Sequence, residues 1–373
     1  MVESKACQDL VNKVIKKDLC TLCGACVGMC PYLVTHMGRV VLKDVCDLTQ
    51  GRCSAYCPRM SLDLDITSRA TFGIPYTWDA LGITKGIFMA RSTDAKVRQR
   101  VQDAGTITTL IRFALSEGFI DSAVLTRFKD KSLPKGVIVS TKEEVLACAG
   151  SSYMAAPTLE AFNREAQNVS RKKIGIVGTP CQVLGLARMK ESELEGRNNL
   201  DKLKLVIGLF CTWALSYPDF AQFLEKEMTG PVLKYDIPPH PANVLHTFTE
   251  KGQIDIPLDR ITPFIKPACQ LCHDLTAEFA DISVGSGRGK VREWNTVILR
   301  TERGMEIFDA AQSKGVIEIT EIPERNLNRL KEASRNKKKR ALKNIIQKTG
   351  STDNFLYLKV QPGTVNHLLE NGG

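Results

Sequence analysis

Cys20, Cys23, Cys26 and Cys30 are separated by two, two and three residues, and Pro31 follows at once. Cys46, Cys53 and Cys57 come next, the last again before a proline, so seven cysteines lie between positions 20 and 57. A stretch this dense in thiols is organised around metal. The short gaps let three thiolates of one tight loop face a single iron–sulfur cluster, while the fourth, before proline, is donated to another. On that reading Cys20, Cys23, Cys26 and Cys57 hold one 4Fe-4S cluster, and Cys30, Cys46 and Cys53 are left for a second. The second set is one thiolate short. It suits a 3Fe-4S cluster, or a 4Fe-4S cluster completed by an oxygen ligand or by a distant thiol such as Cys7, and the spacing does not choose. Zinc is disfavoured, because its structural sites use paired knuckles rather than four thiols packed so closely.

Residues 1–66 therefore read as a ferredoxin-like iron–sulfur domain, with a helical lead-in over 1–19 and a strand at Arg39 to Leu42 joining the two cysteine groups. Residues 67–85 show no period and read as a linker. From Gly86 the pattern becomes α/β. An apolar strand at Ile87 to Ala90 precedes a helix opened by Gly105, with Ile107, Leu110, Ile111 and Ala114 on one face. The strongest buried-strand signals are Lys173 to Gly178 and Leu203 to Cys211, separated by a helix, which implies neighbouring parallel strands with a crossover. Val244 to Thr249 and Ile254 to Ile256 flank Lys251-Gly252 as an inserted hairpin. The fold class is α/β with α+β features: a large mixed-sheet domain over 86–324, a basic helix over 325–350 and a weakly ordered tail over 351–373.

With 43% apolar and 25% charged residues and no apolar run of membrane-span length, the chain reads as soluble. Thirteen cysteines without a secretory signal argue for a reducing compartment and metal ligation, hence the cytoplasm or the cytoplasmic face of a membrane complex. The net charge of +10 suits a polyanionic cofactor, an acidic partner or peripheral contact with an anionic membrane. Part of it crowds between Arg329 and Lys348, and that run reads as a solvated helix face. A nucleic-acid role lacks the interleaved aromatics it would need.

Four more cysteines stand out. Cys181 follows Gly178-Thr179-Pro180 at the carboxyl end of one buried strand, Cys211 ends the next, and Cys269 and Cys272 form a C-x2-C pair. Carboxyl ends of parallel strands are where open α/β sheets place ligands, so these thiolates could hold a third cluster. Core packing for Cys181 and Cys211, and a redox dithiol or half a zinc site for the pair, are the alternatives. Cys7 and Cys148 read as structural.

From Gly86 to Gly315 the chain resembles the family of beta subunits of coenzyme F420 hydrogenases and dehydrogenases. The resemblance is carried by Ala90-Arg91-Ser92-Thr93-Asp94, Ala104-Gly105-Thr106-Ile107-Thr108-Thr109, Ala149-Gly150-Ser151-Ser152-Tyr153, Gly178-Thr179-Pro180-Cys181-Gln182, Phe210-Cys211, and Cys269 to Cys272 followed by Ala280 to Gly285. It implies an FAD-binding oxidoreductase subunit that trades two electrons with coenzyme F420 and passes them through 4Fe-4S clusters, two or three in number, to other subunits of a redox complex. Carried over by motif, Cys181, Cys211, Cys269 and Cys272 would hold the cluster nearest the flavin. Gly105, Thr106, Thr108, Thr109, Ser151, Ser152 and Tyr153 would line the FAD, and Arg91 and Lys266 would contact the deazaflavin. A glycine before an amphipathic helix lets backbone amides approach a diphosphate, and threonine hydroxyls there can donate to its oxygens.

Two positions depart from the family pattern: Ala104, where a second glycine is common, and Ser286, where an acidic residue is common. No catalytic side chain is singled out, because in such a relay the cofactors carry the chemistry. The rival readings are a ferredoxin-linked flavoenzyme acting on another organic substrate, and a flavin-free, cluster-carrying adaptor.

Overall fold

The computed structural model describes residues 5–168, 170, 172–194, 200–238, 242–287 and 293–370; the first residues of the expected lead-in and the last three of the tail lie outside them. The chain starts with a short helix, Ala6–Leu10, that continues into a π-helical turn, Val11–Ile15. Strands β1 (Leu33–His36) and β2 (Arg39–Leu42) form an antiparallel hairpin between the two cysteine groups. A one-turn helix, Arg52–Ala55, leads to β3 (Leu62–Asp63) and the helix Leu64–Phe72, whose first amides are capped by the Asp63 carboxylate.

The large domain is built on eight strands: β4 (Gly86–Ser92), β5 (Ser122–Arg127), β6 (Lys135–Val139), β7 (Ile174–Gly178) and β8 (Leu203–Leu209), then, beyond an insertion, three more. The insertion is a separate antiparallel sheet of β9 (Val232–Asp236), β10 (Val244–Thr249) and β11 (Gly252–Pro257). The main sheet is then completed by β12 (Ile282–Ser286), β13 (Asn295–Leu299) and β14 (Ile317–Glu321). Its order is β14-β4-β13-β12-β8-β7-β5-β6. The pairs β5–β7, β7–β8 and β8–β12 are parallel and all others antiparallel, which makes the mixed α/β sheet that the sequence predicts. β7 reads Ile-Gly-Ile-Val-Gly and is buried along its whole length, as a parallel strand covered on both faces must be. The expected hairpin is β10–β11, with β9 as a third strand on its other side.

The N-terminal segment and the main sheet share one apolar core, in which Leu10, Val14, Leu22 and Leu33 pack in the same cluster as Leu159, Phe162, Ile176 and Val183. Gly24 and Gly28, at φ +89° and +87°, make the approach possible. A Cβ on Gly24 would stand 2.7 Å from the Glu160 nitrogen and the Pro157 oxygen, and one on Gly28 would stand 2.7 Å from the Glu160 oxygen. The helix Thr158–Glu165 closes the joint, since Asn163 Nδ2 donates to the carbonyls of Gly24, Ala25 and Val27 at 3.2, 3.2 and 2.6 Å.

Three stretches differ from expectation. The segment read as a linker begins inside a helix and continues as a pinned strap. Tyr76 and Leu81 are buried, and the buried Arg300 guanidinium donates to the carbonyls of Leu81 and Ile83, both at 2.7 Å. Its absence of period reflects tertiary pinning, which needs none. The tail read as weakly ordered carries β15 (Leu358–Lys359), paired in parallel with β3, and the helix Pro362–Glu370, and it buries Phe355, Tyr357 and Val365. The basic helix is a single element, Glu324–Thr349, but it is not solvated all round: Lys337 and Lys338 are 5% and 1% exposed.

Candidate iron–sulfur and cofactor site

Among the loops at the carboxyl ends of β7, β8 and the N-terminal segment, the cysteines fall into three groups. Cys20, Cys23, Cys26 and Cys57 line a single pocket, walled by Leu10, Val14, Ile15 and Val40. Burial pushes the Cys57 thiol up to about 12, with Cys20 adding to the effect, and raises Cys23 and Cys26 well above the ordinary thiol range. Thiols so placed stay neutral unless a metal replaces the proton.

The second group is Cys30, Cys46 and Cys53. Burial, with smaller contributions from Cys30 and Cys46, pushes the Cys53 thiol up to about 11. The third is Cys181, Cys211, Cys269 and Cys272. Cys181 sits in the first turn of the helix Pro180–Glu191, whose start is fixed by a reciprocal cap between Thr179 and Gln182. Cys211 lies just beyond β8, its amide bonded to the Leu275 carbonyl at 2.9 Å. Burial pushes the Cys269 thiol up to about 11, with Cys181 and Cys272 next in influence. Among the described residues no three His, Cys, Asp or Glu side chains close on one point as ligands of a single ion do. A cube attaches each thiolate to a different iron, so its ligands stand farther apart than those of a single ion.

The groups stand in file. After burial, the strongest influence on the Cys23 thiol is Cys181, which sets the first group beside the third. Arg59, two residues after Cys57, donates to the carbonyls of Ala268 and Leu271 around the Cys269–Cys272 loop, both at 3.2 Å, and lies over the Tyr357 ring. On the other side, Cys26 feels Cys53 of the second group.

The segments expected to line a flavin meet through a residue that the sequence did not point to. Gln102 donates to the Tyr153 hydroxyl at 2.6 Å and to Asp236 at 2.7 Å, and accepts from Ser151. Tyr153 has φ 56°, a costly value for a bulky side chain, and its ring faces Trp213 with centroids 6.3 Å apart. The Cys211 thiol in turn donates to the Trp213 carbonyl, so the Tyr153–Trp213 pair abuts the third cysteine group. Ser152 and Thr108 are half-exposed beside these segments.

Other candidates serve different ends. The Thr106 hydroxyl donates to the Ala90 carbonyl at 2.9 Å and that of Thr109 to Ser92 Oγ at 2.7 Å, both buried, while Asn295 takes the Thr106 amide. The helix start lies under β4, so these groups are satisfied inside the protein and are not donors to a phosphate. Gly105 has φ +78°, and a Cβ there would meet Val97 at 2.9 Å, so its role is close packing of that same joint. Arg91 pairs with Glu318 at 2.7 Å and Glu293 at 3.5 Å over the Trp294 ring. Lys266 stands half-buried at the start of the helix Pro267–Gln270 that carries Cys269.

Asp103, next to Gln102, is pushed up to about 6, first by burial and then by Asp236, with Lys234 opposing. Its folded value lies above its unfolded one, so ionising it costs stability above pH 6 and nothing below pH 4. Asp103→Asn is expected to stabilise the protein by roughly 2 kcal/mol at pH 7.5, the gain shrinking to nothing as pH falls through 6 to 4. Urea unfolding midpoints across that range check the trend.

A mixed sheet that carries these thiol groups in file, the first of them at ferredoxin spacing, defines an iron–sulfur oxidoreductase. Residues 87–163 and 171–325 match the N-terminal and C-terminal models of the coenzyme F420 hydrogenase/dehydrogenase beta subunit, and residues 13–34 match a 4Fe-4S binding domain. The coenzyme F420 hydrogenase subunit beta of Methanothermobacter thermautotrophicus is 32% identical over 71% of this chain and 95% of its own length. An F420H2 dehydrogenase subunit of Methanosarcina mazei is 27% identical over 85% of this chain and 88% of its own. The coenzyme F420-dependent sulfite reductase of Methanocaldococcus jannaschii is 31% identical over 84% of this chain but 49% of its own. A chain of the F420-reducing [NiFe] hydrogenase complex from Methanosarcina barkeri superposes with a TM-score of 0.67, at 29% identity, over 73% of this chain and 95% of that one. The chain belongs to the family of coenzyme F420 hydrogenase/dehydrogenase beta subunits.

Proposed function

We propose that this chain is the subunit through which coenzyme F420 exchanges two electrons with FAD, and that single electrons then pass between the flavin and partner subunits of a redox complex. The observation that carries the reading is the file of cysteine groups, which begins beside Tyr153 and Trp213 and ends at the N-terminal loops. A bound flavin supplies the conversion between two-electron and one-electron chemistry. Ser151, Ser152, Tyr153 and Thr108 would hold it, with Gln102 fixing the ring of Tyr153. Cys181, Cys211, Cys269 and Cys272 would hold the nearest cluster, and Cys20, Cys23, Cys26 and Cys57 the next.

The half-buried Lys266 and the overall charge favour a polyanionic substrate. The test is anaerobic: the reconstituted protein is mixed with reduced coenzyme F420 and a viologen dye. Dye reduction is expected to track deazaflavin oxidation, and Cys181→Ser to slow it about tenfold or more while flavin reduction by the deazaflavin persists. Flavin that ignores the deazaflavin would mean another substrate, and a protein that binds no flavin would be an adaptor.

A further inference from the structure

The second cysteine group has three members by spacing, and the structure brings a fourth thiol to it. The helix Ala6–Leu10 docks on the loop that carries Cys46 and Cys53: the Ala6 amide donates to the Leu48 carbonyl at 2.9 Å, and the Ser54 hydroxyl to the Ala6 carbonyl at 2.7 Å. Gly51 lies between the two, since a Cβ there would stand 3.0 Å from the Ala6 Cβ and 3.3 Å from the Cys53 sulfur. This docking buries Cys7 to 1% exposure with its sulfur 3.8 Å from the Cys46 carbonyl oxygen. Cys46 and Cys30 in turn act on Cys53. Cys7, Cys46 and Cys53 thus meet around one docked loop, with Cys30 near enough to influence Cys53.

The oxygen alternatives in the same loop point elsewhere. The Asp47 side chain is 94% exposed and pairs with Lys5 at 2.5 Å. Thr49 and Gln50 are exposed, Asp44 accepts from the Val45 amide, and Ser54 is bonded to Ala6. Thiolates facing an iron–sulfur body each find a positive partner.

We infer that Cys7 is the fourth protein ligand of a 4Fe-4S cluster held with Cys30, Cys46 and Cys53, which makes the N-terminal segment a two-cluster unit. The inference rests on the proposal that this chain holds clusters, and the experiment separates the two. The full chain is reconstituted anaerobically as wild type, Cys7→Ala, Asp47→Asn and Cys148→Ala. Iron per chain is measured, and electron paramagnetic resonance spectra are taken before and after mild ferricyanide treatment.

Wild type is expected to hold about twelve irons in three four-iron clusters and to give no three-iron signal in either state. Cys7→Ala is expected to lose about one iron with the appearance of a three-iron signal, or to lose about four with the other clusters intact, while Asp47→Asn and Cys148→Ala match wild type. A three-iron signal of about one spin per chain in unaltered protein overturns the assignment whether or not the variants fold. So does a loss in Asp47→Asn that Cys7→Ala lacks. A wild-type chain that takes up no iron overturns the cluster proposal itself.

Discussion

Glu278→Ala is expected to cost about 3–5 kcal/mol of stability, which is a large share of the roughly 5–15 kcal/mol that holds an ordinary fold. Glu278 is 2% exposed in its side chain and pairs at 2.9 Å with Lys338, whose side chain is 1% exposed. Burial pushes its carboxyl up, and Lys338 pulls it back down. The ammonium also donates to the Tyr76 hydroxyl at 3.1 Å and the Asp79 carbonyl at 2.6 Å, so the pair ties the basic helix to the strap. Removing the carboxylate leaves a buried cation with dipoles but no counter-charge. The double variant Glu278→Ala with Lys338→Met, which removes both charges, is expected to recover most of the loss. Urea midpoints of the wild type, the two single variants and the double variant decide it, and a double variant as weak as the sum of the singles would exclude a charge-based cause.

Lys337→Met is expected to lower the reduction potential of the cluster proposed for the third cysteine group by something on the order of 100 mV. Unlike its neighbour, Lys337 has no carboxylate ion-pair partner among the described residues. Its ammonium donates to the Cys211 carbonyl. Burial presses its pKa down, but Cys272, Cys211, Asp274 and Cys269 together lift it above the ordinary lysine value. A buried cation beside Cys211, Cys269 and Cys272 favours whichever state of that site is more negative, which is the reduced one. Potentiometric titration of wild type, Lys337→Met and Lys337→Arg reads the shift, with the arginine variant retaining most of the wild-type value. An unchanged potential in Lys337→Met would show that solvent, not this helix, balances the charge.

Much of this was legible from the chain itself. β7 and β8 announce themselves as continuous apolar runs, because strands covered on both faces have no polar side to show. The first cysteine group is readable because its ligands are local. Other features depend on contacts that spacing does not encode. Lys337 and Lys338 look like any solvated charge run until Glu278 and the cysteine loops, far away in sequence, are brought against them. Thr106 and Thr109 look like phosphate donors because a glycine and threonines at a helix start have two uses, and only the position of β4 overhead decides between them. Gln102 sits in no motif; its role comes from Ser151, Tyr153 and Asp236 meeting around it. Cys7 lies thirteen residues before the recognisable run, and only the docking of its helix brings it to Cys46.

The clamp of Asn163 on the Gly24–Val27 loop, together with Arg59 on the Ala268–Leu271 carbonyls, fixes how far apart the first and third cysteine groups can be. Many electron carriers work as shuttles, with a tethered head that swings between donor and acceptor, and their turnover slows as the solvent thickens. Under the relay proposed above, this molecule would work as a wire. Its internal conduction should be indifferent to viscosity and to crosslinks within the chain, and any slow, motion-limited event should fall at its two ends, where substrate arrives and where the partner docks.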